Sequence, residues 1–382
     1  MKKIALLHIF LSVFVLASAQ KIKKTKAEEI ARENLKTATE IYKQKAKGEW
    51  DQKIIKYDTF AMKFDYKIFG SAAFGTRSLY ISLHGGGNTP ARVNDQQWEN
   101  QKKLYTPAEG IYLAPRAPTN TWNLWHEAHI DEMLETIIKD AIVFEGVDPN
   151  KIYLLGYSAG GDGLFQLAPR MADHWAAASM MAGHPGDASA LPLRNLPFAI
   201  FMGGKDAAYD RNKHAVEWSK MLDSLQREDN TGYIHTVHVF DTLGHWMQRK
   251  DTIAIAWMAG YTRQPLPSKI VWVQDDRLHN DFYWLGTEKA KTGDKVIVEI
   301  NKATNEIVLK ENSFAKLLVY LNDDMLDLDK PIKIIADGRK IFSGKLKRSK
   351  KIIKESVDKR LDANMIFYSG LTIEGAAVKV LK

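Results

Sequence analysis

The sequence predicts an α/β protein with a doubly wound, mostly parallel sheet, followed by a small β-rich C-terminal domain. Between residues 58 and 262, short apolar runs alternate with segments of helical periodicity, which is the pattern of repeated βαβ units. After the proline-containing break RQPLPSK at 263–269, the pattern changes to short strands with a single helix. A chain of 382 residues with 45% apolar content is expected to form about two such domains.

The first 19 residues have the pattern of a cleavable secretory signal peptide. Two lysines precede a mostly apolar run from Ile4 to Ala17, and a further small residue follows at Ala19. This run is too short to span a membrane comfortably, although an uncleaved N-terminal anchor is the alternative. We therefore expect export to the periplasm or the cell exterior, with no stable membrane insertion after cleavage. The chain has no cysteine, so disulfides cannot stabilise it.

Residues 20–50 are expected to form an N-terminal amphipathic helix, because apolar residues recur at three- and four-residue spacing from Ala27 to Tyr42. The predicted α/β domain, residues 51–264, follows. Its predicted strands are RSLYISL, GIYLAP, KIYLLG, WAAASMMAG, PFAIFMG and HTVHVF, and its predicted helices lie near 130–144, 158–172, 213–226 and 250–259. The β-rich domain, residues 265–382, has a helix near 347–358 and an Asp337-Gly338 hairpin signal.

The segment KIYLLGYSAGG, which starts at residue 151, places a serine between glycines directly after an apolar strand. Ligands of an open parallel sheet bind beyond the carboxyl ends of its strands. A sharp turn from strand to helix at this point projects the serine hydroxyl, and Gly156 and Gly160 allow the strand and the helix to approach closely. We predict that Ser158 is a nucleophile on a GxSxG turn.

A serine nucleophile requires a base and an acid. His245 follows the last main strand, and Asp206 follows the strand PFAIFMG. The resulting chain order of Ser158, Asp206 and His245 is that of the α/β-hydrolase fold. Asp210 is the alternative acid, but its place near the start of the next helix favours a first-turn role.

The loop LHGGGN, which ends the strand SLYISL, supplies closely spaced backbone amides. In this architecture the amides of that loop and of the residue after the nucleophile hold the developing oxyanion. We predict that Gly86 and Ala159 are the two donors, with Gly87 as the neighbouring alternative. His84 precedes the glycines and is expected to contact the loop backbone rather than to act as the base.

The segment WHEAHIDE, which starts at Trp125, contains a group of metal-ligating residue types. His126 and His129 are three residues apart, whereas the helical zinc motif HExxH needs histidines four apart, so no metal is predicted. The loop follows a strand end on the same rim as the serine. We expect Trp122, Trp125, His126 and Trp246 to contact the substrate, and the alternative for the aromatic residues is a place in the core.

The formal net charge of +8 comes largely from lysines and arginines near the two ends of the chain. Such runs are usually solvated, and no aromatic residues are interleaved with them, so nucleic-acid binding is not expected. The chemistry of a serine nucleophile needs no cofactor, and none is predicted. The sequence does not indicate an oligomeric state.

The motifs VDPNKIYLLGYSAGG, LHGGGN and GGKD resemble those of a group of secreted α/β-hydrolases. The group comprises polyhydroxybutyrate depolymerases, feruloyl esterases and predicted peptidases, and it is related to prolyl-oligopeptidase catalytic domains. The resemblance covers residues 58–262 and implies a Ser-His-Asp hydrolase. Gly86 stands where depolymerases and feruloyl esterases of the group often have a cysteine, and a backbone amide does not depend on that side chain.

These observations together predict an exported serine hydrolase that forms an acyl-enzyme. We expect its substrate to be a carboxylic ester that has a short acyl group or is linked to a carbohydrate. This ester belongs either to a small molecule or to a polysaccharide. The short connection between MMAGHPG and LPFAIF leaves no room for a large lid, which argues against long acyl chains. The alternatives are a serine peptidase of the prolyl-oligopeptidase-related type and, in another class, a non-catalytic hydrolase-fold binding protein.

Overall fold

The computed structural model describes residues 21–381, which form a mostly parallel sheet with helices and a C-terminal region with two further sheets. The predicted signal peptide, residues 1–19, lies outside the described residues. No helix within residues 21–381 is both long enough and apolar enough to cross a membrane.

The main sheet has eight strands. They are β1 (Ile54–Tyr57), β2 (Phe60–Phe69), β3 (Arg77–Leu83), β4 (Gly110–Arg116), β5 (Val147–Tyr157), β6 (Ala177–Met181), β7 (Phe198–Gly203) and β8 (His235–Phe240). Their order is β1-β2-β4-β3-β5-β6-β7-β8. Strand β2 is antiparallel to β1 and β4, and the other five neighbouring pairs, from β4-β3 to β7-β8, are parallel. The predicted fold class is confirmed, and all six predicted strands are present.

Within residues 21–381, seven α-helices accompany the sheets. They are α1 (Lys24–Gln52), α2 (Ala91–Gln101), α3 (Ala128–Glu145), α4 (Ala159–Arg170), α5 (Arg211–Glu228), α6 (Ile253–Ala259) and α7 (Lys350–Arg360). Helix α1 is longer than its apolar periodicity indicates, and its buried residues Ala27, Ile30 and Ala31 pack against Ile353 and Val357 of α7. The N-terminal helix therefore contacts the C-terminal region.

Burial explains why some strands can be predicted from the sequence and others cannot. Strands β4, β6 and β7 are buried at every position, and parallel strands covered on both faces appear as continuous apolar runs. Strand β8, at the edge, is half-buried throughout. Strands β1 and β2 and helix α2 were not predicted, because exposed polar residues interrupt their apolar patterns.

The C-terminal region contains two five-stranded sheets. Their strands are β9 (Lys269–Val273), β10 (Asp281–Phe282), β11 (Leu285–Thr287), β12 (Lys295–Asn301), β13 (Glu306–Asn312), β14 (Leu317–Leu321), β15 (Ile332–Ala336), β16 (Arg339–Gly344), β17 (Ser369–Glu374) and β18 (Ala377–Val380). The sheet orders are β16-β15-β13-β12-β9 and β10-β11-β14-β17-β18. Asp337 and Gly338, with φ of 48° and 70°, join β15 to β16 as a type I′ turn requires.

Buried ion pairs join the C-terminal region to the main sheet. Arg263 pairs with Asp362, and Arg360 pairs with Asp173 and lies 3.1 Å from Asp281. The guanidinium of Arg360 helps to hold the pKa of Asp173 well below its usual range, against the opposing effect of burial. One buried apolar cluster also includes residues from both regions. The boundary between residues 264 and 265 therefore stays a prediction.

Candidate active site

Ser158 lies on a strained turn between β5 and α4. Its φ of 58° and ψ of −121° are unusual for a residue other than glycine. A Cβ atom at Gly156 would lie 2.1 Å from the oxygen of Gly160, and one at Gly160 would lie 2.3 Å from the oxygen of Leu83. Only glycine fits at these two positions, so they allow the close approach of strand and helix that directs the serine outward.

The structure brings the three predicted triad residues together at the carboxyl ends of the strands. His245 Nε2 lies 2.9 Å from Ser158 Oγ, and His245 Nδ1 lies 2.7 Å from Asp206 Oδ2. These distances place one imidazole in hydrogen-bond contact with both the hydroxyl and the carboxylate. The arrangement allows the ring to accept the serine proton on one nitrogen while Asp206 holds the proton on the other.

Close packing of two loops positions the acid and the base. A Cβ atom at Gly203, the last residue of β7, would lie 2.0 Å from the oxygen of Gly244, so the chain just before His245 contacts the end of β7 directly. Asp206 is only 3% exposed, and its backbone N–H donates to the oxygen of Gly203. Asp210 is exposed and lies 2.7 Å from Lys213, away from His245.

The loop after β3 and the start of α4 present backbone amides beside Ser158. Gly86 and Ala159 both line the cleft that contains the serine. Ala159 is the first residue of α4, where a backbone N–H has no partner within the helix. Gly87 is a poorer donor, because its N–H already donates to Asn94 Oδ1 at 2.8 Å.

Asn94 is a site residue that the sequence analysis missed. It is fully buried on α2, a helix that was not predicted, and its Nδ2 donates to the oxygen of Thr89 and to Oδ1 of Asn120. A Cβ atom at Gly86, where φ is 109°, would lie 2.2 Å from Asn94 Oδ1. Asn94 thus fixes the loop that carries Gly86 and Gly87, and no pattern in the sequence indicates this contact.

His84 contacts the loop backbone, as expected from its position before the glycines. Its Nε2 accepts a hydrogen bond from the N–H of Ala117 at 3.1 Å, so the ring proton is on Nδ1, which lies 2.6 Å from the oxygen of Gly85. Burial lowers the pKa of His84 to about 4. The ring is therefore neutral near pH 7 and connects two loops.

A cleft of about 460 Å³ surrounds Ser158. Trp122 lies on its rim with 67% of its surface exposed, and His126 forms part of its wall. The prediction for Trp125 is wrong, because this side chain is fully buried and its indole N–H donates to the oxygen of His84. Trp246 is half-exposed and lies 5.8 Å from the ring of Tyr157, outside the lining of the cleft.

The histidines of the WHEAHIDE segment do not face each other. The ring of His129 stacks on Phe60 at 3.8 Å, whereas His126 contacts Trp122 edge-on. Burial lowers the pKa of His126 to about 4, with a smaller contribution from Arg170, so it is neutral near pH 7. Within residues 21–381, no group of three or more His, Asp or Glu side chains has the arrangement of a metal site.

Several cleft residues were not predicted, among them Asp162, Tyr209 and Arg211. Asp162 Oδ1 accepts a hydrogen bond from the N–H of His184, and burial raises the pKa of Asp162 to about 6. Asp162 lies one helical turn after Ser158, so the i, i+4 spacing could have indicated it. Tyr209 and Arg211 also line the cleft, where the chain after Asp206 leads into α5.

The chain was compared with protein families, curated proteins and solved structures. No protein-family model matches the chain, and no curated protein matches it. One similar solved structure is a thermostable esterase, with a TM-score of 0.40 and 19% identity over 55% of this chain and 62% of that one. Another is the apo form of Thermogutta terrifontis esterase 2, with a TM-score of 0.38 and 17% identity over 54% of this chain and 89% of that one. A ferulic acid esterase is also similar, with a TM-score of 0.37 and 16% identity over 54% of this chain and 95% of that one.

The chain thus spans about three fifths of the length of the thermostable esterase. Identities below 20% do not transfer an activity to this chain. The sheet order, together with the strand–serine–helix turn at its centre, defines an α/β-hydrolase fold.

Proposed function

We propose that this protein is a serine hydrolase that cleaves carboxylic esters with short acyl or carbohydrate-linked groups. The observation that carries the proposal is the continuous hydrogen-bond chain from Ser158 through His245 to the buried Asp206, with distances of 2.9 and 2.7 Å. This series of hydrogen bonds begins at a strained, outward-facing serine beside two candidate amide donors. This is the combination of nucleophile, base, orienting acid and donors that acyl transfer requires.

In the proposed reaction, Ser158 Oγ attacks the ester carbonyl while His245 Nε2 takes the hydroxyl proton. The imidazolium is stabilised by Asp206 and then donates that proton to the departing alkoxide, which leaves as the alcohol. Water, activated by the same imidazole, hydrolyses the acyl-enzyme and restores the serine. The amides of Gly86 and Ala159 stabilise the oxyanion in both steps, and one such donor contributes about 3 to 4 kcal/mol.

The shape of the cleft supports a bulky ester over a long aliphatic chain. Trp122 and Tyr209 expose large flat surfaces at the rim, on which a sugar or aromatic ring can stack. The cleft also shares Gln166 and Asp187 with a neighbouring cavity of about 260 Å³, whose other wall includes Asp275 of the C-terminal region. A substrate extending from the serine toward the C-terminal region is therefore part of the proposal.

Export is proposed on the N-terminal sequence alone. The pattern of residues 1–19 predicts cleavage before Gln20. N-terminal sequencing of the protein secreted by its own host would test this. A mature chain that still begins at Met1 would contradict export by this signal.

A substrate panel tests the proposed reaction. We expect kcat/KM on short-chain nitrophenyl, acetyl-sugar or feruloyl-sugar esters to exceed that on matched chromogenic peptides at least about 100-fold, which corresponds to about 2.7 kcal/mol. Ser158→Ala should abolish turnover, and the control Ser343→Ala, at an exposed strand position, should retain it. Comparable rates on esters and proline-containing peptides would favour a peptidase. No turnover of any substrate would favour a non-catalytic binding protein.

A further inference from the structure

Arg211 is a buried cation in the cleft whose hydrogen-bonding capacity is unused. It is the first residue of α5, five positions after Asp206, and only 9% of its surface is exposed. Its Nε is buried and has no hydrogen-bond partner among residues 21–381. Its Nη1 lies 4.0 Å from Asp206 Oδ1, which is too far for a hydrogen bond. An unsatisfied buried guanidinium is costly to maintain without a function.

Neither Asp206 nor Asp162, the two acidic residues beside Arg211, accepts a hydrogen bond from it. Asp206 Oδ2 is in contact with His245, and Asp162 Oδ1 accepts from the N–H of His184. The guanidinium carbon instead lies 4.9 Å from the ring centre of Tyr209, a cation–π contact that leaves the N–H groups free. The enclosed Nε cannot be reached from the cleft, so the terminal Nη groups of Arg211 are the donors available to a molecule that enters it.

The backbone before Arg211 is strained. Tyr209 and Asp210 are consecutive non-glycine residues in the left-handed region, with φ of 56° and 55°. Such conformations cost about 1 to 3 kcal/mol each and occur where function requires them. This turn follows Asp206 in the chain, and both Tyr209 and Arg211 line the cleft.

We propose that Arg211 binds a carboxylate of the substrate, so that the cleft prefers esters with a free carboxylate close to the scissile bond. The planar guanidinium matches a carboxylate in a two-point, charge-assisted contact, which neither a lysine nor a neutral donor reproduces. This inference rests on the proposed function, because it names a substrate class for the same site. It makes Arg211 a specificity-determining residue, distinct from the residues that perform the acyl transfer.

The test uses two esters of equal chain length, methyl butyrate and monomethyl succinate, which differ only in a terminal methyl or carboxylate, and it follows hydrolysis by titration of the released acid. For each enzyme, the ratio of kcat/KM on the succinate to that on the butyrate is measured. We expect Arg211→Met to lower this ratio about 30-fold, mainly through KM on the succinate, and Arg211→Lys to lower it less. Lys213→Met, which removes one exposed positive charge from the same helix, should leave the ratio unchanged.

Two kinetic results would overturn the proposal. An unchanged ratio in Arg211→Met would mean that the guanidinium does not bind the carboxylate. Equal losses on both esters, appearing in kcat, would mean that Arg211 acts through Asp206 instead. Thermal unfolding of each variant, including the conservative Arg211→Lys, separates these results from a loss of folding.

A binding measurement separates this inference from the proposed reaction. Calorimetry of Ser158→Ala, with and without Arg211→Met, would use the stable amide N-(4-nitrophenyl)succinamic acid and its neutral butanamide counterpart. Binding of the acid that depends on Arg211, without turnover of any ester by the wild type, would support the carboxylate site and contradict the esterase. Ester turnover with no dependence on Arg211 in either assay would support the esterase and overturn the carboxylate site.

Discussion

Replacing Asp206 by asparagine tests the role of the acid, because it changes the proton position on His245 with almost no change in shape. The carboxylate Oδ2 now accepts from His245 Nδ1 at 2.7 Å. If the asparagine presents its NH₂ group at that position, Nδ1 must become the acceptor and the ring proton moves to Nε2. The ring then donates toward Ser158, 2.9 Å away, and cannot accept its proton.

The expected loss of activity follows from the wrong tautomer of His245. We expect kcat for ester hydrolysis to fall about 10⁴-fold, or about 5.5 kcal/mol, with a much smaller change in KM. Asp210→Asn is the matched control, because Asp210 is exposed and pairs with Lys213 outside the site. It should retain wild-type kcat within about twofold, since an exposed ion pair contributes little.

The assay is initial-rate hydrolysis of a nitrophenyl ester across pH 6 to 9, with thermal unfolding recorded for both variants. Two results would contradict this role of Asp206: a folded Asp206→Asn enzyme that keeps kcat within tenfold of wild type, or a larger loss in Asp210→Asn. The second result would identify Asp210 as the acid in a conformation different from the one described.

Two further predictions concern stability. Burial raises the pKa of Asp140 from 3.8 to about 7, so the protonated form is favoured in the folded state and stability is lost as pH rises from about 4 through 7. Asp140→Asn should therefore be more stable than wild type by up to about 4 kcal/mol at pH 8, and similar at pH 3.5, in urea unfolding; a destabilised variant at pH 8 would be inconsistent with this. Arg360→Met leaves Asp173 buried without its main partner and should cost about 3 to 5 kcal/mol at pH 7. A cost below about 1 kcal/mol would show that the ion pairs do not join the two regions.

The parts of the structure that the sequence predicts are those governed by local physical constraints. The strand before Ser158 is a continuous apolar run because it is buried, and Gly156 and Gly160 are required because any Cβ atom there would overlap backbone. Asp206 and His245 were placed by the strand ends that they follow. Each of these inferences depends on a short segment and on the general rule that parallel strands end at one edge.

The residues that the sequence analysis missed depend on contacts between distant segments. Asn94 and Arg211 lie on helices with ordinary polar sequences, and only the folded chain brings one to Gly87 and the other to the cleft. Trp125 was misplaced for the related reason that an aromatic residue in a rim loop can face either way. Here its side chain packs beneath Gly163, where an added Cβ atom would lie 2.2 Å from Trp125 Cβ.

Covalent labelling distinguishes a nucleophilic Ser158 from an unreactive one. The wild-type protein would be treated with a fluorophosphonate, and the adduct would be measured by intact mass and located by peptide mapping. A strained serine hydroxyl in contact with His245 predicts one adduct per chain, on Ser158, with no labelling of Ser158→Ala and strongly slowed labelling of Asp206→Asn. An unlabelled wild-type protein, or an adduct on another residue that persists in Ser158→Ala, would contradict the account.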